Sequence, residues 1–389
     1  MSIWRNLADR LGSARFTAKP LRVVVLFAAL LLLVGCGGGL RHESWPGLIA
    51  VGDTLYVANL EHVQALSAET GKVYWSYPSE DERAARPFYS TPVLAEDVGE
   101  NGVLLVAGFS DRTVYALALG ASPAERPDEL WRFAEAGGQY VGTGTVASGL
   151  FLIGNGDGKV YALNIEDGSK AWEFATDDRV WATPVVVDDT VYVASLDHTL
   201  YALELQTGTE QWRVDVDGSV AMTPVLAGRD LWFGDFSSKL YQVDTQSGTI
   251  SWTFEAENWL WATPVLDGSV LYFADVGGKV YALDIERREL VWDAPVVVDD
   301  AVRGRPALNG DGSLLFVAGY EKGAVYAIDT TTGTLRQSWG SPLENPGRLP
   351  SDLVTGDQRL YTLPILVSAR VQAFSLAAGE LIWSSPQGD

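Results

Sequence analysis

Aromatic rings and guanidinium groups recur at one register of this 389-residue chain. Tyr89, Tyr140, Trp181, Met222, Trp261 and Arg303 each stand shortly before a Thr-Pro-Val segment or its equivalent, with Arg305 two residues beyond Arg303. Aromatic faces and an arginine pair gathered in one ring would bind a ligand or peptide by stacking and cation–π attraction. The same side chains would also serve as a plug, packed on one another. The recurrence of Trp-Ala-Thr-Pro at Trp181 and Trp261 fits that second reading. Trp259 is an extra large apolar residue in a turn region, which makes it either an interface anchor or a cover for the same site.

Catalytic arrangements are harder to find. There is no Gly-x-Ser-x-Gly elbow and no Gly-rich phosphate loop between a strand and a helix. His42, His62 and His198 are dispersed, and Cys36 is the single cysteine. No intrachain disulfide or cysteine-based metal site can form, and a histidine zinc site is not expected. Asn155-Gly156-Asp157-Gly158 and Asn309-Gly310-Asp311-Gly312 look calcium-like but lack the spaced ligands and distant Glu of a calcium loop. Both read as hairpin turns, so no metal site is assigned.

Charge narrows the partners. Five bases and one acid precede Cys36, which leaves 23 bases against 49 acids, a net −26, from Cys36 onward. Phosphate recognition needs a basic stripe, so nucleic acid is excluded as a main partner, as is electrostatic docking on an anionic membrane. The N-terminus reads as an address. A basic stretch over residues 15–22 precedes twelve apolar residues, Val23 to Val34, and then Gly35-Cys36 and three glycines. Twelve residues suit a signal segment and are too few for a comfortable membrane span. The pattern resembles a bacterial lipobox, which implies lipidation of Cys36 and a lipid anchor outside the cytoplasm. Residues 1–36 are therefore expected to be a lipoprotein signal, 37–45 a Gly-rich linker and 46–389 the folded domain. Gly rather than Asp at position 37 leans towards the outer membrane, in a cell that has one.

The elements that carry these residues are one unit repeated. Trp75, Trp131, Trp172, Trp212, Trp252, Trp292, Trp339 and Trp383 close successive copies, spaced 56, 41, 40, 40, 40, 47 and 44 residues apart. The period is 40, and the longest insertion is Gly120–Glu129. Each copy holds four short runs of period two, separated by turns such as Asp188-Asp189, Asp197-His198, Thr207-Gly208 and Asp217-Gly218. Four strands per 40 residues predict a propeller blade. The eight units are 46–78, 87–135, 140–177, 180–217, 220–256, 260–297, 303–341 and 348–385. The expected fold is all-β, an eight-bladed β-propeller of four-stranded antiparallel blades, expected to be monomeric. Each closing tryptophan should wedge against the next blade, its indole N–H meeting a backbone carbonyl there. Gly71, Gly168, Gly208, Gly248 and Gly379, four residues before their tryptophans, fit turns with positive φ. Arg288 holds that place in the sixth unit, so its turn is expected to be of another type. The first and last units each contain a full set of strands, so blade-to-blade packing should close the ring without a strand exchanged between termini.

Ala162–Trp172 and Ala202–Trp212 show the pattern most clearly as Ala-Leu-(Asp/Asn/Glu)-x-x-x-Gly-x-x-x-Trp. This resembles the repeat of pyrroloquinoline-quinone (PQQ) quinoprotein propellers over about residues 46–385. Behind a lipobox, and with little added to the ring, the chain is similar to the lipoprotein subunit of the outer-membrane β-barrel assembly machinery, assembly factor B. That resemblance implies a non-enzymatic scaffold without a cofactor. It also implies a protein partner, the central barrel-inserting subunit, held through loops on one face. The rival reading is a PQQ- and calcium-dependent dehydrogenase. Such enzymes are longer, and many carry an adjacent cysteine pair that one cysteine cannot make. A third reading is a surface sensor for a small ligand or glycan at the channel mouth. Outer blade edges offer a further surface, able to accept a partner strand.

Overall fold

A computed structural model describes residues 47–59, 62–79, 88–339, 347–365 and 371–385. The chain divides into two units, Met1–Glu43 and Ser44–Asp389. The first lies outside the described residues, as do Cys36, the expected signal segment and the linker. The second is an eight-bladed β-propeller. Its sheets span residues 47–77, 93–133, 145–175, 185–215, 225–255, 265–297, 307–335 and 354–385, each inside one repeat unit. Neighbouring strands are antiparallel and, outside one extra pairing in the sixth blade, consecutive in sequence.

Burial explains the strand sequences. The second strands are buried on both faces between flanking blades, so they read as apolar runs, as in Leu150–Gly154 and Val103–Ala107. Outer strands keep the two-residue alternation because one face meets water, as in Glu210–Asp215. Opposite each closing tryptophan of the first five blades and the last stands a small or polar residue of the third strand. Ala162 faces Trp172 and Ala202 faces Trp212, and the register slips by one residue immediately after. That bulge turns the outer strand and aims the ring at the next blade.

Six of the eight tryptophans dock as expected. Trp131 donates its indole N–H to the carbonyl of Ile165, and Trp172, Trp212, Trp292, Trp339 and Trp383 donate to Leu205, Thr245, Thr330, Leu376 and Ala68, at 2.7–3.2 Å. Each ring lies flat on the turn glycine of the next blade. A Cβ at Gly168, Gly208 or Gly248 would stand 2.5–2.6 Å from the tryptophan ring. The ring closes by the same device. Trp383 and Tyr361 of the last blade both donate to Ala68 of the first, at 3.2 and 3.3 Å, and among the described residues no strand is exchanged between these two blades.

The sixth blade departs from expectation twice. Arg288 adopts φ +61° and donates its amide to the Asp284 carbonyl at 2.7 Å, the bond Gly248 makes to Asp244 at 2.9 Å. Its turn is therefore of the same type as the others. Asp284 Oδ1 accepts the amides of Glu286 and Arg287, both at 3.0 Å, which holds the turn without glycine. The Cβ of Arg288 occupies the place where a tryptophan would lie. Trp252, which is half-buried, makes no indole hydrogen bond among the described residues. A crevice of about 660 Å³ opens there between the fifth and sixth blades, beside Trp232, Ile285 and Arg288. The sheet also has five strands, because its outer edge is split into Glu289–Leu290 and Val296–Val297, both paired with Lys279–Asp284. Pro295 lacks the amide that would continue the outer strand.

Candidate functional site

The innermost strands enter the axial channel through residues 89–91, 141–143, 181–183, 221–223, 261–263, 303–305 and 350–352. Thr91, Thr143, Thr183, Thr223 and Thr263 form a waist. The amide of Thr183 donates to Thr223 Oγ1 at 3.1 Å, and that of Thr223 donates to Thr263 Oγ1 at 3.2 Å. These threonines lie just ahead of the first strands of their blades, and Tyr89, Trp181, Ala221 and Trp261 stand two residues before them. Above the waist a vestibule of about 140 Å³ is lined by Tyr89, Trp181, Met222, Trp261 and Arg303. Below it the cavity widens to about 510 Å³.

The sequence-derived ring residues part company here. Tyr140 is fully buried and does not line the vestibule; Val141 does instead. Its hydroxyl lacks a hydrogen-bond partner, and burial, reinforced by Tyr161 and Asp157, pushes its pKa far up. Arg303 and Arg305 are not a pair. Arg303 lines the vestibule, whereas Arg305 holds the waist position of its blade and lines the lower cavity. Trp259 lies outside the vestibule with 53% of its surface exposed.

What the structure assembles is a ladder of π faces and guanidinium groups. Phe236 stacks on Trp259 at 5.5 Å and on Trp261 at 4.9 Å, nearly parallel to both. Arg303 lies 5.2 Å from the Trp261 centroid and 4.1 Å from that of Tyr320. Arg348 covers Tyr320 at 5.6 Å and pairs with Glu321 at 2.8 Å. Trp181 approaches Trp261 at 6.3 Å. On the second blade a smaller counterpart packs Tyr89 against Phe109 at 4.2 Å. Phe236, Tyr320 and Arg348 are absent from the sequence reading, although a signal exists. Aligned by their hydrogen bonds, the loops after the second strands carry Leu196, Phe236, Val276 and Tyr320 at one position. The two aromatics at this position each meet a ring residue, Phe236 stacking on Trp261 and Tyr320 facing Arg303.

Acidic side chains of the same loops act as staples. Asp197 accepts the Thr199 amide on one oxygen, and the Asp177 amide and Tyr201 hydroxyl on the other, at 2.8–3.0 Å. Asp157 accepts the amides of Gly137 and Lys159 and the Tyr161 hydroxyl, at 2.6–3.1 Å. Asp235 and Asp275 repeat the device with Tyr241 and Tyr281. Burial and the adjacent carboxylate push the Tyr201 hydroxyl up to about 12, so it remains a donor. The Asn155–Gly158 segment is a four-residue connection of this kind. Asn155 Oδ1 accepts the amides of Gly138 and Asp157 at 3.0 Å, which occupies the oxygens a cation would need. Among the described residues no cluster of three His, Cys, Asp or Glu could hold a metal.

A family model described as outer membrane protein assembly factor BamB matches residues 122–254 and 206–338, together more than half of the chain. The crystal structure of BamB from Moraxella catarrhalis superposes with a TM-score of 0.67 at 18% identity, covering 82% of this chain and 92% of that one. The computationally designed Ika8 protein superposes with a TM-score of 0.68 at 12% identity, over 86% and 97%. At these identities both likenesses speak to the propeller fold. A shorter match, 30% identical over 140 residues, joins 34% of this chain to the serine/threonine-protein kinase AfsK of Streptomyces griseus. It spans 16% of that protein's length. Repeat, blade count and family match agree, and the chain belongs to the family of the outer membrane protein assembly factor BamB.

Proposed function

We propose that the protein is a non-catalytic scaffold of the cell envelope, anchored by lipid at Cys36, that holds a protein partner during outer-membrane β-barrel assembly. The observation that carries this reading is the exposed end of the ladder, where Trp259 rises from Phe236 at the mouth of a rigid ring. Half-exposed aromatics on a preorganised base are the usual anchors of protein interfaces. Membership of the BamB family supports the choice of process. A catalytic role finds little support, because the carboxylates beside the mouth already accept backbone amides and tyrosine hydroxyls. We also propose that no quinone cofactor works here. The vestibule, at about 140 Å³, is below the roughly 300 Å³ of ordinary cofactor sites. Its one arginine is engaged between Trp261 and Tyr320.

The test is a photo-crosslinking residue at position 259 in intact cells, followed by mass spectrometry of the captured material. Recovery of an outer-membrane barrel protein with periplasmic domains is expected. Trp259→Ala should lower native co-capture about tenfold while leaving the melting temperature nearly unchanged. Recovery of an electron-transfer protein alone, or of no protein, would reject the reading.

A further inference from the structure

The waist of the channel departs from its own repeat at three adjacent blades. Five blades place a threonine there; the seventh, eighth and first place Arg305, Asp352 and Gly47. Asp352 keeps the structural half of the threonine role, because its Oδ1 accepts the Arg305 amide at 2.8 Å. Its other oxygen makes no hydrogen bond among the described residues. The Arg305 guanidinium likewise makes neither a hydrogen bond nor an ion pair among the described residues. Both side chains are exposed at this end of the channel, so each charged group is open to a ligand arriving from solvent. Here they stand unbridged in a cavity of about 510 Å³ otherwise walled by threonine hydroxyls and apolar side chains.

We propose that this lower cavity binds a small zwitterion, an α-amino acid or the backbone of a short peptide. Arg305 would take the carboxylate in a bidentate contact, Asp352 the ammonium group, and the waist hydroxyls the remaining polar atoms. A plain anion would be repelled by Asp352 and a plain cation by Arg305, so opposite charges on one ligand are what the pair selects. The volume lies within the range of small-molecule sites. The site is separate from Trp259, so loss of partner capture at the mouth would leave it standing.

The experiment titrates the purified full chain with glycylglycine by calorimetry, beside N-acetylglycine, which lacks the ammonium, and glycinamide, which lacks the carboxylate. Saturable binding of glycylglycine is expected, with both controls weaker by at least about tenfold. Asp352→Asn retains an oxygen for the Arg305 amide and should fold normally while losing about tenfold in affinity. Arg305→Gln should lose as much, with each variant's melting temperature confirming its fold. Absence of saturation at about 10 mM, equal binding of either control, or unchanged affinity in the folded variants would overturn the proposal.

Discussion

Trp259 and the stapling tyrosines show two uses of an aromatic ring. Trp259 leaves half its surface in water on top of a stack, where its removal exposes little and breaks no buried hydrogen bond. Tyr161, Tyr201 and Tyr281 are buried, and each donates to a loop carboxylate. Desolvation raises all three above the ordinary value of 10.0, Tyr201 to about 12 and the others further. The unfolded chain ionises near the ordinary value while the fold keeps its protons. The stability these groups contribute is complete below about pH 10 and is lost as pH rises through the folded values. Urea midpoints should therefore fall steadily above about pH 10. Tyr201→Phe should lower the midpoint at neutral pH and flatten its alkaline decline; an unaltered slope in that variant and in the matching Tyr161 and Tyr281 variants would contradict this.

At the scale of the element, the turn between the third and outer strands decides how blades meet. Gly208 combines φ +68° with a neighbour's ring 2.6 Å from where a Cβ would be. Gly208→Ala should cost about 2 kcal/mol or more, from backbone strain and overpacking together. Arg288→Gly should act in the opposite sense. It relieves a left-handed backbone worth about 1 kcal/mol and frees the place for Trp252 to dock. A higher melting temperature and a blue-shifted tryptophan emission are the readouts. The period-40 tryptophans, the four runs per unit and an insertion in the second unit could be read without coordinates, since alternation and turn residues are local properties; the insertion read as Gly120–Glu129 ends earlier, because Asp128–Phe133 is a strand. The turn at Arg288 could not, because side-chain acceptors such as Asp284 replace the glycine, and residue type alone does not report that. The ladder was half legible. Trp259, Trp261 and Arg303 stand out by type, whereas Phe236 and Tyr320 acquire meaning only when loops of different blades are brought to one mouth.

At the scale of the molecule, stability is distributed over like joints. The joint between last and first blades brings Trp383 and Tyr361 against Leu48, Leu55 and Leu66 in one apolar cluster. Trp383→Ala removes a ring and its hydrogen bond at once and should cost about 3–5 kcal/mol. Trp252→Ala, which removes a half-buried ring with no hydrogen bond, should cost less. Denaturant titration would rank the two, and hydrogen exchange should show the first and last blades losing protection together in the Trp383 variant. Because every blade is a contiguous stretch of chain, a unit gained or lost by duplication or deletion would leave no torn sheet behind, only a ring with a different curvature. The same contiguity means that a chain emerging from its N-terminus can complete one blade before the next has emerged. What must wait for the last blade is the closing joint, in which Trp383 and Tyr361 are seated on Ala68.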